Sequence, residues 1–301
     1  MTGVPRILVM TRNSGGYVTG RLVQAAALRS DCELHLLDPH TLRLHLTAKG
    51  PRISHDELVL DPARTVLLPR LASLSSEFAL YSLELLEACG IPSLSPFRGL
   101  SRLRHKFSAL TRLALAGLPV PDSVMCRNQS ELQAAVDSVG GYPLIMKFIR
   151  GSQGVGVILA EREDTVRSIL DALNLVQYDV LLQRYIPEAA THGTYRVFVI
   201  EGRARFAAHL TPAAGRDRSN VHAGGHSRVQ ELTPPLAELA EQATAVFGLG
   251  QTGVDLVETP QGLMIMEVNG SPGFEALEAV HGADVATLLI EASLRLHCGG
   301  S

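Results

Sequence analysis

The first ninety residues alternate short apolar runs with amphipathic helical stretches, and this alternation restricts the fold more than any other feature. The runs RILVM (6–10), CELHLLD (32–38) and TVLLPR (65–70) are typical of buried strands. The stretches RLVQAAAL (21–28) and EFALYSLELLEACG (77–90) are typical of helices. Strands that alternate with helices predict a mostly parallel sheet with covered faces, which is the α/β class.

The loops that follow the strands of such a sheet are where ligand crevices form. Arg12, Ser14 and Arg70 follow the first and third predicted strands. We therefore predict these residues as candidate substrate contacts. The alternative for each of them is a solvated loop residue.

Charge and composition argue against several functions. The net charge is −3 and charged residues make up 19% of the chain, so nothing indicates general binding of nucleic acid. No apolar run reaches the ~20 residues of a membrane span. The cysteines at 32, 89, 126 and 298 form no C-x-x-C pair, which argues against disulfide and zinc sites. The start MTGVPRILVM is unlike a secretory signal, and we expect a cytoplasmic protein.

The Gly-rich stretch FIRGSQGVGVILAE (148–161) lies between two strand-like runs. A P-loop or a dinucleotide fingerprint would lead into a helix, whereas VILAE after Gly156 continues as a strand. A β-hairpin remains, whose tip presents backbone N–H groups to an anion such as phosphate. A simple turn is the alternative. The predicted contacts are Ser152, Gln153, Gly154, Val155 and Gly156, with Lys147 as an adjoining cation.

The stretch GVDLVETPQGLMIMEVNGSPG (253–273) reads as a second hairpin with acidic residues on both strands. Asp255 and Glu267 are equidistant from Gln261, so a turn there places them opposite each other. Asn269 lies two residues beyond Glu267 and shares its face. Oxygen ligands in an apolar setting favour Mg²⁺, especially an ion shared with phosphates. An exposed acidic hairpin face is the alternative.

Three further patterns predict local structure. The prolines of GIPSLSPFRGL (90–100) indicate a linker. Ser130, followed three residues later by Gln133, has the spacing of a capping box and predicts the start of a helix. Glu201-Gly202 predicts a hairpin turn within YRVFVIEGRARFAAHL.

The stretch PAAGRDRSNVHAGGHS (212–227) is long and contains few apolar residues. We expect residues 213–226, and the Gly-rich loop at 151–156, to be mobile without ligand. His222 and His226 are interpreted as loop or substrate-facing residues, and metal ligation by them is an alternative.

A phosphate-covering hairpin together with a D…E-x-N magnesium hairpin resembles the ATP-grasp arrangement. The segments RGSQGVGVILAE, LQRYI, RSNVHAGG, TGVDLV and MEVNGSPGFEALE are similar to those of RimK-type ligases, which add glutamate to a protein C-terminus. The resemblance covers nearly the whole chain. It implies an N-terminal α/β domain (1–97), a lid domain with the Gly-rich loop (98–180) and a C-terminal metal-binding domain (181–301).

The resemblance also implies roles for single residues. Lys106 and Lys147 match the two lysines of the family that contact ATP. The segment Gln183, Arg184, Tyr185 and Ile186 matches the adenine-reading segment. Arg218, Ser219 and Asn220 match a motif near the γ-phosphate, and Asp255, Glu267 and Asn269 match the magnesium ligands. Arg218, Lys147 and Asn220 are the candidate catalytic residues, while Arg196 and His222 are candidate substrate contacts.

Several positions depart from the family pattern. Thr194 stands where an acidic residue usually takes the ribose hydroxyls, and Arg184 stands where glutamate is usual. His209, Leu210 and Thr211 stand where basic residues are expected. The ATP and metal cores are therefore retained, whereas ribose and substrate contacts are altered.

We predict an ATP- and Mg²⁺-dependent carboxylate–amine ligase that acts through an acyl phosphate. Its predicted partners are an amino-acid donor and a peptide, protein or small-molecule acceptor, without nucleic acid or membrane. The family implies two Mg²⁺ ions, which Mn²⁺ could replace. The alternatives are a nucleotide-binding regulatory protein that has lost ligation and a ligase that makes a small metabolite. The added amino acid and a homo-oligomeric state are left open.

Overall fold

The computed structural model describes residues 4–71, 76–127, 129–149, 156–174, 178–211 and 226–299. Its strands are β1 (Arg6–Met10), β2 (Glu33–Leu37), β3 (Arg43–Thr47), β4 (Gly50–Ser54), β5 (Thr65–Pro69), β6 (Ser123–Met125), β7 (Leu144–Phe148), β8 (Val157–Ala160), β9 (Val180–Arg184), β10 (Thr194–Ile200), β11 (Arg203–Thr211), β12 (His226–Gln230), β13 (Gln251–Thr259) and β14 (Gly262–Asn269). Its helices are α1 (Tyr17–Ala27), α2 (Glu77–Ala88), α3 (Phe97–Leu103), α4 (Lys106–Leu115), α5 (Leu132–Ser138), α6 (Glu163–Asn174), α7 (Pro187–Thr191), α8 (Pro234–Phe247), α9 (Glu275–His281) and α10 (Val285–His297). Within these ranges no helix has the length and apolar character needed to cross a membrane.

The N-terminal strands form a parallel sheet in the order β2-β1-β5, as their alternation with helices predicts. The unbroken apolar runs of β1 and β5 are explained by burial on both faces. Leu8 and Met10 of β1 face the apolar side of α2. Ile7 and Val9 face α1 and the C-terminal helix α10. The predicted α/β arrangement is confirmed for this part of the chain.

A short antiparallel hairpin, β3–β4, follows this sheet's second strand and was not predicted. Its sequence RLHLT alternates polar and apolar residues and runs into Lys49-Gly50, which is a usable strand-and-turn signal. Leu44 and Ile53 are opposite each other and pack against the main core.

The segment 90–100 is packed against the N-terminal sheet, so the predicted linker is wrong. Leu67 donates its N–H to the Pro92 carbonyl at 2.8 Å, and its own carbonyl accepts from Leu94 at 2.9 Å. Leu94 and Ser95 are buried, and α3 begins at Phe97. The prolines lack an N–H and prevent a regular strand, but their carbonyls still accept hydrogen bonds.

The central sheet has the antiparallel order β6-β9-β7-β8. Strands β7 and β8 form the hairpin predicted around the Gly-rich loop, with Lys147 opposite Val157. Gly156 has φ +75°, and a Cβ there would collide with Phe148, so this position requires glycine. Strand β9 belongs to this sheet, and the predicted domain boundary between residues 180 and 181 falls within it.

Helix α5 begins at Leu132, not at Ser130. A 3₁₀ turn at Gln129–Glu131 precedes it, and no side chain caps the helix at Glu131. A capping box requires an extended backbone at the N-cap, whereas Ser130 lies inside the 3₁₀ turn. The predicted capping box is therefore wrong.

The C-terminal sheet is antiparallel, in the order β12-β11-β10-β13-β14. The turn at Glu201-Gly202 lies where it was predicted, and Glu201 adopts φ +52°. Helix α8 covers one face of this sheet. Residues of α9 and α10 pack against Phe198 and Ile200 on the other face.

Residues from both ends of the chain share their hydrophobic cores. The core beneath α8 includes residues of β1, β5 and α2, and the core beneath α10 includes β1, β5 and β10. The central sheet differs, because the described residues of its core with α5 and α6 all lie within positions 124–182. The N- and C-terminal sheets are thus joined by packing, while the central sheet has a core of its own.

Candidate active site

A row of charged side chains crosses three strands of the C-terminal sheet. Asp255 is directly opposite Glu267 on one side, as predicted, and opposite Arg196 on the other. Directly opposed residues in antiparallel strands share a face, so the three side chains are neighbours. Asn269 lies on that face two residues beyond Glu267, opposite Gly253.

A β-bulge at Met266 brings Asp255 and Glu267 together. The turn consists of Pro260 and Gln261, and the pairs that follow it run regularly to Leu256 and Ile265. Continued without interruption, this register would place Met266 opposite Asp255 and turn Glu267 toward the core. Met266 is left unpaired instead, and the shift restores Glu267 to the row. The predicted pairing of Asp255 with Glu267 is confirmed, but it results from the bulge and not from a turn centred on Gln261.

Arg196 holds Asp255 through two parallel hydrogen bonds. Its Nε and Nη2 each donate to one carboxylate oxygen at 2.7 Å. The charge of Asp255 raises the pKa of Arg196 above its ordinary value, although burial acts to lower it. Arg196 was predicted as a substrate contact. The structure shows that two of its N–H groups bind a carboxylate of the protein itself.

Glu267 faces two lysines. The Nζ of Lys106 donates to Glu267 Oε1 at 3.0 Å, and the Glu267 side chain is 44% exposed. Burial opposes ionisation of Glu267, but the charges of Lys106 and Lys147 outweigh it and hold its pKa below the ordinary value. Burial lowers the pKa of Lys147 from 10.5 to about 8. At neutral pH the carboxylate is therefore ionised beside cationic groups.

These lysines lie in an open cleft between the central and C-terminal sheets. One face of helix α4 lines the cleft. Its lining residues follow helical spacing and are Lys106, Ala109, Leu110 and Leu113. The remaining lining residues are Leu103, Lys147, Leu181, Met266, Glu267 and Val268. The apolar wall was not predicted as a functional feature, although the helical spacing from Lys106 onward indicates it.

The acidic row fits a hard divalent cation. Asp255 and Glu267 supply adjacent carboxylates, and Asn269 supplies an amide oxygen on the same face. Among the residues described, no three His, Cys, Asp or Glu side chains cluster as a metal site. A cation held here would take its third protein ligand from the amide of Asn269, and further oxygens would come from water or from a bound phosphate.

The predicted adenine segment lies at the end of β9. Gln183 is 1% exposed and shares its face with Leu181, which lines the cleft. Its amide nitrogen donates to Ser123 Oγ at 2.8 Å, while its Oε1 is buried without a hydrogen-bond partner in the part of the chain that is described. Arg184 lies on the other face, 3.4 Å from Asp122. Tyr185 and the buried Ile186 follow the strand.

Thr194 lies on the same face of β10 as Arg196 and is buried beside its partner Leu210. An apolar side chain therefore stands next to the position predicted for the ribose. His209 lies on the opposite face, where its Nδ1 accepts from Arg228 Nε at 2.9 Å and its Nε2 donates to the His192 carbonyl. His209 is thus outside the charged row.

Arg70 joins the N-terminal sheet to the C-terminal sheet. Its guanidinium donates to Gln251 Oε1 at 2.8 Å and to the Pro272 carbonyl at 2.6 Å, and it lies over the ring of Phe274. Burial lowers the pKa of Arg70 to about 10. Arg12 and Ser14 are exposed in the bend after β1. Arg12, Ser14 and Arg70 therefore lie outside the charged row.

Eight predicted site residues lie outside the described residues. They are Ser152, Gln153, Gly154, Val155, Arg218, Ser219, Asn220 and His222. The mobility predicted for 151–156 and 213–226 also falls almost entirely outside the described residues.

A family model for the RimK-like ATP-grasp domain matches residues 103–293. The chain belongs to the RimK-like ATP-grasp family. A relative from Shewanella denitrificans, the probable alpha-L-glutamate ligase 1, is 32% identical over 288 residues, covering 95% of this chain and 96% of the relative. The RimK-type resemblance and the α/β ATP-grasp fold are thereby confirmed, and the family is one of ATP-dependent carboxylate–amine ligases.

Solved structures share this fold. The RimK domain ATP-grasp protein of Sphaerobacter thermophilus has a TM-score of 0.72 at 23% identity, covering 96% of this chain and 99% of its own. The ATP-grasp ligase PsnB, solved with a minimal precursor, Mg and ADP, has a TM-score of 0.71 at 17% identity, covering 97% and 98%. At these identities the likeness supports the architecture rather than a particular substrate.

Proposed function

We propose that this RimK-like protein binds ATP and Mg²⁺ and joins the carboxylate of an amino acid, peptide or protein C-terminus to an amine. Two Mg²⁺ ions, replaceable by Mn²⁺, and a cytoplasmic location are part of the proposal. The observation that carries it is the row Arg196–Asp255–Glu267, whose last member accepts a hydrogen bond from Lys106 in an apolar cleft.

The cleft supports nucleotide binding along its length. Its apolar wall suits a purine ring, and Lys106 and Lys147 in the same lining suit phosphate oxygens. The buried Oε1 of Gln183, on the face of β9 that carries Leu181, is an acceptor suited to an amino group. The lining thus offers both kinds of contact that ATP requires.

Asp255, Glu267 and Asn269 would hold the metal, which would neutralise phosphate charge when bound. Arg196 keeps Asp255 oriented, since its guanidinium fork allows one arrangement of the carboxylate. Lys147 would stabilise negative charge as it builds up on the transferred phosphoryl group. No nucleophile of the protein is required.

The reaction would proceed in two substitutions. A substrate carboxylate oxygen bonds to the γ-phosphorus as the bond to the β–γ bridging oxygen breaks, which releases ADP and leaves an acyl phosphate. The amine nitrogen then bonds to the acyl carbon, inorganic phosphate leaves, and the nitrogen loses a proton. Exclusion of water by the cleft matters because water would hydrolyse the acyl phosphate.

The curated relatives support glutamate as the first amino acid to test, since they are named alpha-L-glutamate ligases. Arg12, which is exposed after β1, is proposed to face a substrate carboxylate. Arg70, after the neighbouring strand β5, is proposed to support this side of the site through its contacts with Gln251 and Pro272. Leu210 lies beside Thr194 at a position where the family pattern has a basic residue, so the substrate side of the sheet carries less positive charge. We therefore do not restrict the acceptor to one class of molecule.

The test is amine-dependent release of ADP combined with mass spectrometry of the products. Each proteinogenic amino acid is offered with a glutamate-terminated peptide, ATP and Mg²⁺, and the variant Glu267→Gln is the control. A new amide product, formed by the wild type alone, supports ligation. Nucleotide binding without any amine-dependent ADP release would overturn it and favour a regulatory protein that has lost ligation.

A further inference from the structure

The two proposed metal-binding carboxylates are each paired with a cation of the chain, but the two pairs differ in kind. Arg196 binds both oxygens of Asp255, whose side chain is 13% exposed. Lys106 binds one oxygen of Glu267, whose side chain is 44% exposed. The first pair is a bidentate fork to a sheltered carboxylate, and the second is a hydrogen bond from one nitrogen to one oxygen of a half-exposed carboxylate.

This difference decides which pair can exchange partners. A guanidinium fork matches a carboxylate geometrically and loses two hydrogen bonds when it leaves. An ammonium group on a four-carbon stem is a mobile point charge, and its contact with an exposed carboxylate is weak. Arg196 therefore stays with Asp255, whereas Lys106 can leave Glu267 when a stronger anion arrives.

Lys106 also stands where a metal ion at Glu267 would be opposed most directly. It contacts Oε1 itself, and Lys147 lies in the same cleft with a charge that also acts on Glu267. A divalent cation would have to displace Lys106 or share the carboxylate with it, next to a like charge. The phosphates of a nucleotide carry charge of the opposite sign and would attract the same ammonium group.

We propose that Lys106 blocks divalent-cation binding at Glu267 in the nucleotide-free enzyme, and that a nucleotide phosphate removes the block by drawing Lys106 away. This inference rests on the proposed metal site. The block by Lys106 makes metal binding conditional on the nucleotide. In the free enzyme, Lys106 continues to neutralise Glu267. By linkage, the metal must favour nucleotide binding by the same factor.

The test is Mn²⁺ binding to the nucleotide-free protein, measured from the electron paramagnetic resonance signal of free Mn²⁺. Lys106→Met keeps the aliphatic stem and removes the charge that contacts Glu267. We expect it to bind Mn²⁺ about 10-fold more tightly than the wild type, within the usual range of coupling between ligands. Lys106→Gln is the second variant should the first not fold.

Lys147→Met is the matched control, because it removes the same charge from the cleft without removing the contact. A gain equal to that of Lys106→Met would mean that net charge alone controls the metal, and would overturn the inference. Adding Glu267→Gln to Lys106→Met should abolish the gain. Persistence of the gain would place the ion elsewhere and would also overturn the inference.

A further measurement separates this inference from the proposed function. With saturating ADP, and after subtraction of the Mn²⁺ that the same ADP binds without protein, the wild type should bind Mn²⁺ more tightly than it does alone. If neither the wild type nor Lys106→Met binds Mn²⁺ even with ADP, the metal site itself is wrong. If the nucleotide-free wild type already binds as tightly as Lys106→Met, the metal site stands and only the block by Lys106 is refuted.

Discussion

Asp255 and Glu267 lie directly opposite each other because Met266, which stands between Glu267 and the turn, has no partner on the neighbouring strand. The extra residue allows Ile265 to stay in the core while Glu267 faces the cleft. It also adds the Met266 side chain to the cleft wall. One bulge therefore serves both the acidic row and the apolar wall.

Deleting Met266 is expected to leave the acidic row intact and to weaken nucleotide binding. The shortened strand would pair regularly and still place Glu267 opposite Asp255, since Ile265 and Glu267 would then alternate between faces. Mn²⁺ affinity in the presence of ADP should change little, while KM for ATP should rise. Met266→Ala, which keeps the bulge, is the control. Loss of Mn²⁺ binding on deletion would show that the bulge itself orients Glu267.

Glu267→Gln should lower turnover by more than ~100-fold, because loss of a group that only supports a metal ligand already costs 10–100-fold. The exposed position of Glu267 and its single ion pair predict a change in unfolding free energy below about 1 kcal/mol. ADP release and thermal unfolding measure the two effects. Near-normal turnover at saturating Mg²⁺ would remove Glu267 from the mechanism.

Arg196→Lys should weaken metal binding more than it slows the chemical step. Lysine cannot reproduce the two 2.7 Å hydrogen bonds to Asp255, so the carboxylate loses its fixed orientation. We expect the Mg²⁺ concentration for half-maximal rate to rise about 10-fold or more. Arg203→Lys, at an exposed pair with Glu241, is the control. An unchanged Mg²⁺ requirement would contradict the positioning role.

Activity and stability should depend on pH in opposite directions above pH 8. Lys147 has a pKa of about 8 in the folded protein, against 10.5 ordinarily. Above pH 8 it loses the charge that attracts phosphate, so kcat/KM for ATP should fall. The unfolded chain holds this proton more tightly, so the contribution to stability rises with pH between about 8 and 10.5. Lys147→Arg, which stays charged, should abolish the alkaline fall, and a fall retained in that variant would exclude Lys147 as its source.

Thr194→Asp should tighten ATP binding several-fold if this position faces the ribose. A carboxylate would replace a neutral hydroxyl, and charge-assisted hydrogen bonds are worth about 1.5–3 kcal/mol against roughly 0.5–1.5 for neutral ones. Ribose does not react, so KM should fall with kcat little changed. Thr194→Val is the control. Arg196, on the same face, competes for the new carboxylate, and an unchanged KM would mean that it has captured the group.

The sequence predicts the local structure well and the contacts between distant segments poorly. The N-terminal strands and the Gly-loop hairpin follow from apolar periodicity and turn residues within short windows. Asp255 pairs with Glu267 as predicted, but through a bulge at Met266 that these local signals do not indicate. The pairing of β10 with β13 joins residues about sixty positions apart, and nothing local indicates it. Arg196 was therefore assigned to the substrate, although its partner is Asp255. The contacts of Arg70 with Gln251 and Pro272 were not predicted for the same reason.

The separate core of the central sheet has a consequence for the order of folding during synthesis. Among the described residues, the core that covers one face of this sheet lies within positions 124–182, so that face can be covered as soon as this segment leaves the ribosome. The N-terminal strands emerge earlier, yet their inner face is covered by Leu289 and Ile290 of α10. The first strands of the chain therefore complete their core only after its last helix has been made.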